Sequence, residues 1–367
     1  MYTTVTKRPY RKLEQQSLET KRHLLTTEKQ YLGQYFTTNA DNILLGWENL
    51  VKDKEIIDPF AGGKDLINWA MHNGAQKYYA YDIDPKGSDI IQNDSLMTPP
   101  SYKDKFLISN PPYLSSNKCR NGDKRPYKKW DQSDYYKCHM ASLYPTCEEG
   151  ILIVPSNFLS ESNRKAREMF LFNYNIIDCK YWNEPVFDDA TTGITAFHFK
   201  KKDVPSHSKQ TFSCVLLPEN KSFQMELEKK YGYLFGKEFF DHIDVSMYNI
   251  KAATIGDDCP NTNIIIGFLD NGKYKTGFHY NDGECLYVKP TVITTYQVNV
   301  EGVCLSVNEQ KEVIRVANDI LKRYRAKYHS MFLSNYLGAN QKILSQSYAK
   351  KILSKSIDIV LDRISIL

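Results

Sequence analysis

The run Asn110-Pro111-Pro112-Tyr113 places an amide oxygen, a proline carbonyl and a phenol ring directly after the apolar segment Phe106–Ser109. Consecutive prolines end a strand and stiffen the backbone, so the Asn110 side chain and the Pro111 carbonyl would be fixed at the strand's carboxyl end. Ligands of open α/β sheets bind at that edge. Proline pairs also mark ordinary loops, so this run alone fits either a site or a plain strand terminus. Upstream, Asp58-Pro59-Phe60-Ala61-Gly62-Gly63-Lys64 follows another apolar run. Its small residues would let the backbone approach a ligand closely, although a double glycine in a turn is as readily structural. The spacing is not GxGxxG, so a dinucleotide is not the natural inference. Within Tyr81-Asp82-Ile83-Asp84-Pro85, Asp82 ends a third apolar run. A carboxylate there, about 20 residues past a Gly-rich turn, is placed to hold a pair of ribose hydroxyls. Asp84 falls in the following turn, and a solvated turn aspartate is the bland reading of either residue. In Asn93-Asp94-Ser95-Leu96, Asp94 can accept a hydrogen bond from an adenine amino group or simply cap a turn.

Directly after Tyr113 come Lys118, Arg120, Lys124, Arg125, Lys128 and Lys129, interrupted by one acid, Asp123. Beside a site, such a loop suits phosphate contacts; charge runs are as often solvated surface.

These segments need a sheet to bring them together. Strands are predicted at Glu55–Asp58, Lys77–Asp82, Phe106–Ser109, Gly150–Val154, Asn175–Tyr181 and Gly193–Phe199. Most are continuous apolar runs, as expected of strands covered on both faces. Helical patterns at Lys64–Asn73, Ser133–Tyr144 and Ser160–Phe172 alternate with them, which predicts a doubly wound, mostly parallel α/β sheet. After the charged stretch Lys200–Lys209 the pattern changes. Thr262–Leu269, Lys273–Tyr280 and Glu284–Lys289 are predicted as consecutive strands, joined by the hairpin signals Asp270-Asn271-Gly272 and Asn281-Asp282-Gly283. From Asn308 the chain is expected to be helical, with Val313, Val316, Ile320, Tyr324 and Tyr328 along one face, and again over about Gln341–Ile364. The expected division is an arm at 1–30, a catalytic α/β domain at 31–202 and a smaller mixed α+β region at 203–367.

The 367 residues carry a net charge of +5, with 41% hydrophobic and 25% charged residues, which excludes a mainly disordered chain and permits a polyanionic partner. The eight cysteines lack CxxC spacing, so no metal site or disulfide framework is expected. No apolar run reaches the roughly 20 residues of a bilayer span, and a soluble, cytoplasmic location is expected.

In this order the segments resemble those of the N6-adenine DNA methyltransferases, in particular the gamma class typical of restriction–modification systems. The likeness covers about residues 31–200. Gly33-Gln34-Tyr35-Phe36-Thr37-Thr38 is similar to the family's N-terminal segment, so the resemblance places Tyr35, Phe36 and Thr37 against the methionine part of S-adenosylmethionine. It assigns Asp58, Phe60 and Gly62 to the cofactor loop, Asp82 and Ile83 to the ribose, and Asp94 and Ser95 to the cofactor's adenine. Asn110, Pro111, Pro112 and Tyr113 match the catalytic motif, and Gly150–Leu159 the strand and loop that follow. Phe187 falls where the family has an aromatic beside the target base. The chain departs from the family in the cofactor loop, where Gly62 is followed by Gly63 and Lys64 instead of by one residue and a glycine.

The implied fold is a seven-stranded methyltransferase sheet. The implied reaction moves a methyl group to the amino nitrogen of an adenine flipped out of duplex DNA. Asn110 and Pro111 would accept the amine's hydrogens, Tyr113 would stack on the base, and Lys118, Arg120 and Arg125 would meet phosphates. The resemblance implies duplex DNA as partner, with a cognate restriction endonuclease acting at the same site; a monomer is expected. Two rivals share the motif: an RNA-adenine or protein-glutamine methyltransferase, and a DNA-binding relative without activity. The long segment after the catalytic region favours a nucleic-acid reader.

Overall fold

The computed structural model describes residues 39–120, 122–159, 164–182, 186, 193–241, 248–254, 260–268, 274–287, 295–328 and 344–365. Tyr35, Phe36, Thr37 and Phe187 lie outside these residues, as do the arm at 1–30 and the turn Asp270-Asn271-Gly272.

The predicted alternation of strands and helices is present. Strands β1 (Glu55–Asp58), β2 (Lys77–Asp82), β3 (Ile91–Gln92), β4 (Phe106–Ser109), β5 (Glu149–Pro155), β6 (Tyr174–Trp182), β7 (Ile194–Lys201), β8 (Gln210–Leu217) and β9 (Lys221–Leu227) form one sheet in the order β3-β2-β1-β4-β5-β7-β6-β8-β9. The first five are parallel neighbours, whereas β7 runs antiparallel between β5 and β6. The sheet is thus wider than the seven strands expected. β8 adds parallel to β6 and β9 antiparallel to β8, so the sheet passes the expected boundary at residue 202 and ends at Leu227. The strands β8 and β9 alternate buried and exposed residues at this edge, unlike the continuous apolar runs of the centre, and so carry a weaker sequence signal.

Alternation of side chains across the sheet creates two cores. Ile56, Ile108, Ile151 and Ile153 face one side, where α1 (Ala40–Ile43), α2 (Glu48–Val51) and α3 (Asp65–His72) pack through Ile43, Val51, Leu66 and Ile67. Ile57, Leu107, Leu152 and Val154 face the other, against α5 (Tyr135–Ser142) and α6 (Lys165–Asn173), with Tyr136, Met140 and Phe170. Between β4 and α5 lies the short helix α4 (Arg125–Trp130), which the sequence patterns did not suggest. β5 can lie this close to β4 because residue 150 is glycine: a Cβ there would stand 2.6 Å from the Leu107 carbonyl oxygen.

The second core continues into an antiparallel sheet of β10 (Asn249–Ala252), β11 (Ile264–Gly267), β12 (Gly277–Tyr280) and β13 (Thr295–Glu301), ordered β10-β13-β11-β12. The β11–β12 pair is as predicted. The expected third strand is not: residues 284–287 are irregular, Asn281-Asp282-Gly283 joins no hairpin, and β13 pairs with β11 instead. After α7 (Glu238–Asp241) in the preceding segment, the long helices among the described residues are α8 (Val307–Lys327) and α9 (Gln346–Ser365). α8 begins on a capping box, with Glu309 N–H donating to Ser306 Oγ (3.3 Å) and Ser306 N–H to Glu309 Oε2 (2.6 Å). It docks on β12 through Asn318, whose amide pairs both backbone groups of Phe278 (3.0 and 2.8 Å).

Five of the seven described cysteines are buried and all seven are free thiols. No described helix is long and apolar enough to cross a membrane.

Candidate active site

The chain crosses from β1 to β2 on one side and returns to β4 on the other, which opens a crevice at the carboxyl ends of β1 and β4. A cleft of about 930 Å³, counting the space at its mouth, lies there.

Its floor is the turn after β1. Asp58 ends the strand almost fully buried, and a carboxyl oxygen accepts from Phe60 N–H at 3.0 Å. Burial pushes its pKa up to about 8, an effect only partly opposed by that hydrogen bond and increased by the Asp82 carboxylate. Asp58 is not among the residues that line the cleft. The structure gives it to the turn, because its carboxyl faces the backbone it shapes. Phe60 and Gly62 do line the cleft. Gly62 has φ +48°, and its N–H donates to Asp82 Oδ2 at 2.8 Å. Lys64, the departure from the family's loop, also adopts a left-handed backbone (φ +68°). Its ammonium pairs with Asp89 and is not part of the cleft wall, so the cation leaves the inner surface of this turn untouched. Behind Phe60, the buried His139 meets the phenyl edge-on at 4.9 Å, and burial holds its imidazole down to about 3.

Asp82, Ile83 and Asp84 line the next wall, with Lys86 beside them. Both Asp82 oxygens are engaged, one by Gly62 N–H and one by Asp84 N–H (2.9 Å). Each oxygen keeps a lone pair for another donor, so Asp82 can knit the turn and still bind a hydroxyl. Asp84, set aside on the sequence, also reaches the cleft, with its carboxylate paired to Lys86.

Asp94 and Ser95 line the third wall. Asp94 Oδ1 accepts from Met97 N–H (3.1 Å), and Ser95 Oγ accepts from the Asn93 amide (2.9 Å), so the segment is held by its own short turns.

Asn110 and Pro112 reach the cleft from β4, while Pro111 is buried between them. Tyr113 is placed differently from the expectation. Its ring is half-buried, edge-on to Tyr136 at 6.1 Å, and is not a cleft wall. Its hydroxyl donates to Asn110 Oδ1 and lies 3.0 Å from the Ile153 carbonyl. A phenol next to two acceptors turns inward, so the ring is not presented to the cleft.

Besides Lys86, three cleft residues escaped the reading of the sequence as a site: Asp123, Pro126 and Tyr135. They come from the loop and helices after Tyr113, which fold back over the opening. The signal was present as Arg125-Pro126, a proline at a helix start, but it was hidden within a run read for its charge. The tyrosines of this segment stack, Tyr127 on Tyr135 at 4.9 Å, over an apolar cluster with Leu96, Leu114 and Cys119. Of the basic residues expected to meet phosphates, Lys118 and Arg120 are exposed and stand outside the cleft wall. Arg125 is forked on Asp123 (Nε–Oδ2 2.9 Å, Nη2–Oδ2 2.7 Å), and the guanidinium holds that carboxyl below its usual range.

The cleft therefore sets four carboxylates, Asp82, Asp84, Asp94 and Asp123, against one lysine, around the apolar surfaces of Phe60, Ile83, Leu96 and Pro112. Such a site suits a ligand with a flat ring, hydroxyls and positive charge. One end is closed by Asn110 at the tip of β4.

Among solved structures, the chain is similar to a modification subunit assigned to a type I restriction enzyme from Vibrio vulnificus YJ016, at 12% identity and TM-score 0.39, covering 65% of this chain and 58% of that one. It is similar to the type IIG restriction endonuclease BpuSI at 12% identity and TM-score 0.39, covering 64% of this chain and 36% of that one. A type I restriction–modification methyltransferase subunit from Streptococcus thermophilus matches at 15% identity and TM-score 0.34, covering 49% of this chain and 47% of that one. The chain thus spans less than two thirds of each. No curated protein matches the sequence. Residues 12–187 match the family described as Eco57I restriction-modification methylase, and the segment contains the cleft's turn, its carboxylates and the Asn110 motif.

Proposed function

We propose that the chain methylates the N6 amino group of adenine in duplex DNA, using S-adenosylmethionine and a base flipped out of the helix. The observation that carries this reading is Asn110 at the tip of β4, which lines one cleft together with Gly62, Asp82 and Asp94. The cleft's residues fit the cofactor: its carboxylates suit a cation, and Phe60, Ile83 and Leu96 suit a purine. Asp82 would hold the ribose hydroxyls, and Asp94 with Ser95 the adenine. S-adenosylmethionine, when bound, supplies an electrophilic methyl carbon.

The chain's own task is positioning. An adenine amino nitrogen is a weak nucleophile because its lone pair is delocalised into the ring. Asn110 Oδ1 and the Pro111 carbonyl would each accept one of its hydrogens, which draws the lone pair out of conjugation and aims it. The entering amine would replace the Tyr113 hydroxyl on Asn110 Oδ1, exchanging one donor for another at little net cost. Released from that acceptor, the Tyr113 ring is positioned to stack on the base, a contact worth about 1–3 kcal/mol. Lys118 and Arg120 supply exposed positive charge for the phosphates beside the extruded nucleotide. The region from β10 to α9 is the candidate reader of DNA sequence, and a restriction endonuclease sharing the site is the candidate partner.

The test is transfer of label from tritiated S-adenosylmethionine into duplex DNA, RNA and protein, followed by nucleoside mass spectrometry. The expected product is N6-methyladenine in DNA. Asn110→Ala is expected to abolish transfer while leaving cofactor affinity within about twofold, since its partner is the base. Label confined to RNA or protein would overturn the proposal.

A further inference from the structure

The helix α4 grips one wall of the cleft at both of its ends. At the amino end, Arg125 Nη2 stands 4.0 Å from Asp94 Oδ2, its guanidinium already oriented by Asp123. At the carboxyl end, Trp130 Nε1 donates to the Leu96 carbonyl at 2.7 Å, and the Lys129 ammonium donates to the Met97 carbonyl. Six residues of helix thus hold three of the four residues 94–97. The helix is in turn fixed to the segment that follows Asn110: Tyr127 Oη donates to the Leu114 carbonyl (2.9 Å), and Tyr135 N–H donates to the same oxygen (3.1 Å). Tyr135 Oη donates to the Asp123 carbonyl at 2.7 Å. A continuous set of contacts therefore runs from the catalytic motif to the wall bearing Asp94.

We propose that α4 is a clasp that sets the width of the cleft at its purine end, with Arg125 and Trp130 as positioning residues acting through Asp94 and Leu96. This rests on reading the cleft as the S-adenosylmethionine site. It removes Arg125 from the phosphate contacts expected of the basic loop. Its charge is matched by Asp123 and lies beside Asp94, whereas Lys118 and Arg120 carry no such assignment. Trp130 contributes the larger share. Its ring is partly buried and packs on the cluster containing Leu96, while the Arg125 side chain is 71% exposed, where ion pairs are weak.

Trp130→Phe keeps an aromatic ring but deletes the N–H donor together with part of the ring's packing surface; Arg125→Gln deletes the charge. With the full chain and no DNA present, calorimetry should show S-adenosylmethionine binding weakened about threefold to tenfold by Trp130→Phe and about twofold to fivefold by Arg125→Gln. The double variant should lose less than the product of the two, because both act on one segment. Single-turnover transfer at saturating cofactor should stay at the parental rate, which a general loss of structure would not allow. DNA affinity plotted against salt should keep its slope in Arg125→Gln, whereas a lost phosphate contact would reduce the slope by about one. Unchanged cofactor affinity in both variants, or a reduced salt slope with Arg125→Gln, overturns the clasp. If Trp130→Phe does not fold, the Arg125→Gln measurements decide alone. A parent chain that fails to bind S-adenosylmethionine would instead refute the reading of the cleft itself.

Discussion

The substitution Asp58→Asn should make the chain more stable in neutral and alkaline solution. In the folded protein Asp58 keeps its proton up to about pH 8, whereas in an unfolded chain it would lose it near 3.8. Between these values the folded state binds the extra proton, so stability is full below about pH 4 and falls as the pH rises towards 8. At ~1.36 kcal/mol per pH unit, the gap sets a ceiling of about 6 kcal/mol on the destabilisation. Relaxation and water entry around a buried ion reduce it, and about 2–4 kcal/mol is expected at pH 8. The side-chain amide introduced by Asp58→Asn would still accept from Phe60 N–H and would have no acidic proton to lose. Urea unfolding of parent and variant, followed by tryptophan fluorescence from pH 4 to 9, should give midpoints that coincide at the acid end and separate steadily above it. S-adenosylmethionine affinity should change by no more than about threefold, since the carboxyl faces the turn and not the cleft. Parallel midpoints across the range would refute the buried, proton-bearing acid. A loss of affinity beyond tenfold would make Asp58 a direct ligand, contrary to its burial.

Asp82→Ala removes the acceptor for two backbone N–H groups as well as a cleft wall, and should cost about 1–3 kcal/mol of stability together with a large loss of cofactor affinity. Thermal unfolding and calorimetry would show both; retained cofactor affinity would exclude the ribose role. Glu149 at the start of β5 is held down to about 2, first by its hydrogen bond to His198 and then by Lys54. Because its folded value lies below the ordinary one, its contribution is present above about pH 4.5 and lost as the pH falls towards 2. Solvent access limits that contribution to about 1 kcal/mol, so Glu149→Gln should flatten the acid limb of the stability profile by that amount. Tyr113→Phe, which keeps the ring and removes the donor to Asn110, should retain most methyl transfer to DNA, whereas Tyr113→Ala should lose about 1–3 kcal/mol of base binding. Equal losses in the two would assign Tyr113 to its hydroxyl.

What the sequence alone determined lies at the centre of the larger sheet. The strands β1, β2 and β4 were legible to their ends, because each is a short, strongly apolar or β-prone run stopped by Asp58, by Asp82 or by Asn110 with its prolines. Two of these stops, Asp82 and Asn110, line the cleft, as Asp94 does, so these three candidates were legible without a structure. Local order sufficed there, since a strand's carboxyl end in such a sheet is where a ligand sits.

Other features depended on contacts between residues far apart in the chain. Nothing local shows that β13, and not residues 284–287, is the partner of β11, because antiparallel register is settled by which apolar faces meet. The outer strands β8 and β9 are half-exposed and leave no continuous apolar run. The basic stretch after Tyr113 looked like one surface, yet folding divides it. Lys118 and Arg120 stay in solvent, Arg125 is forked on Asp123, and Pro126 and Tyr135 close the cleft. Tyr113 shows the same limit at a single residue. Its type announced a stacking ring, but only the tertiary structure brings Asn110 Oδ1 and the Ile153 carbonyl within reach of its hydroxyl, and a buried phenol takes the acceptors it is given.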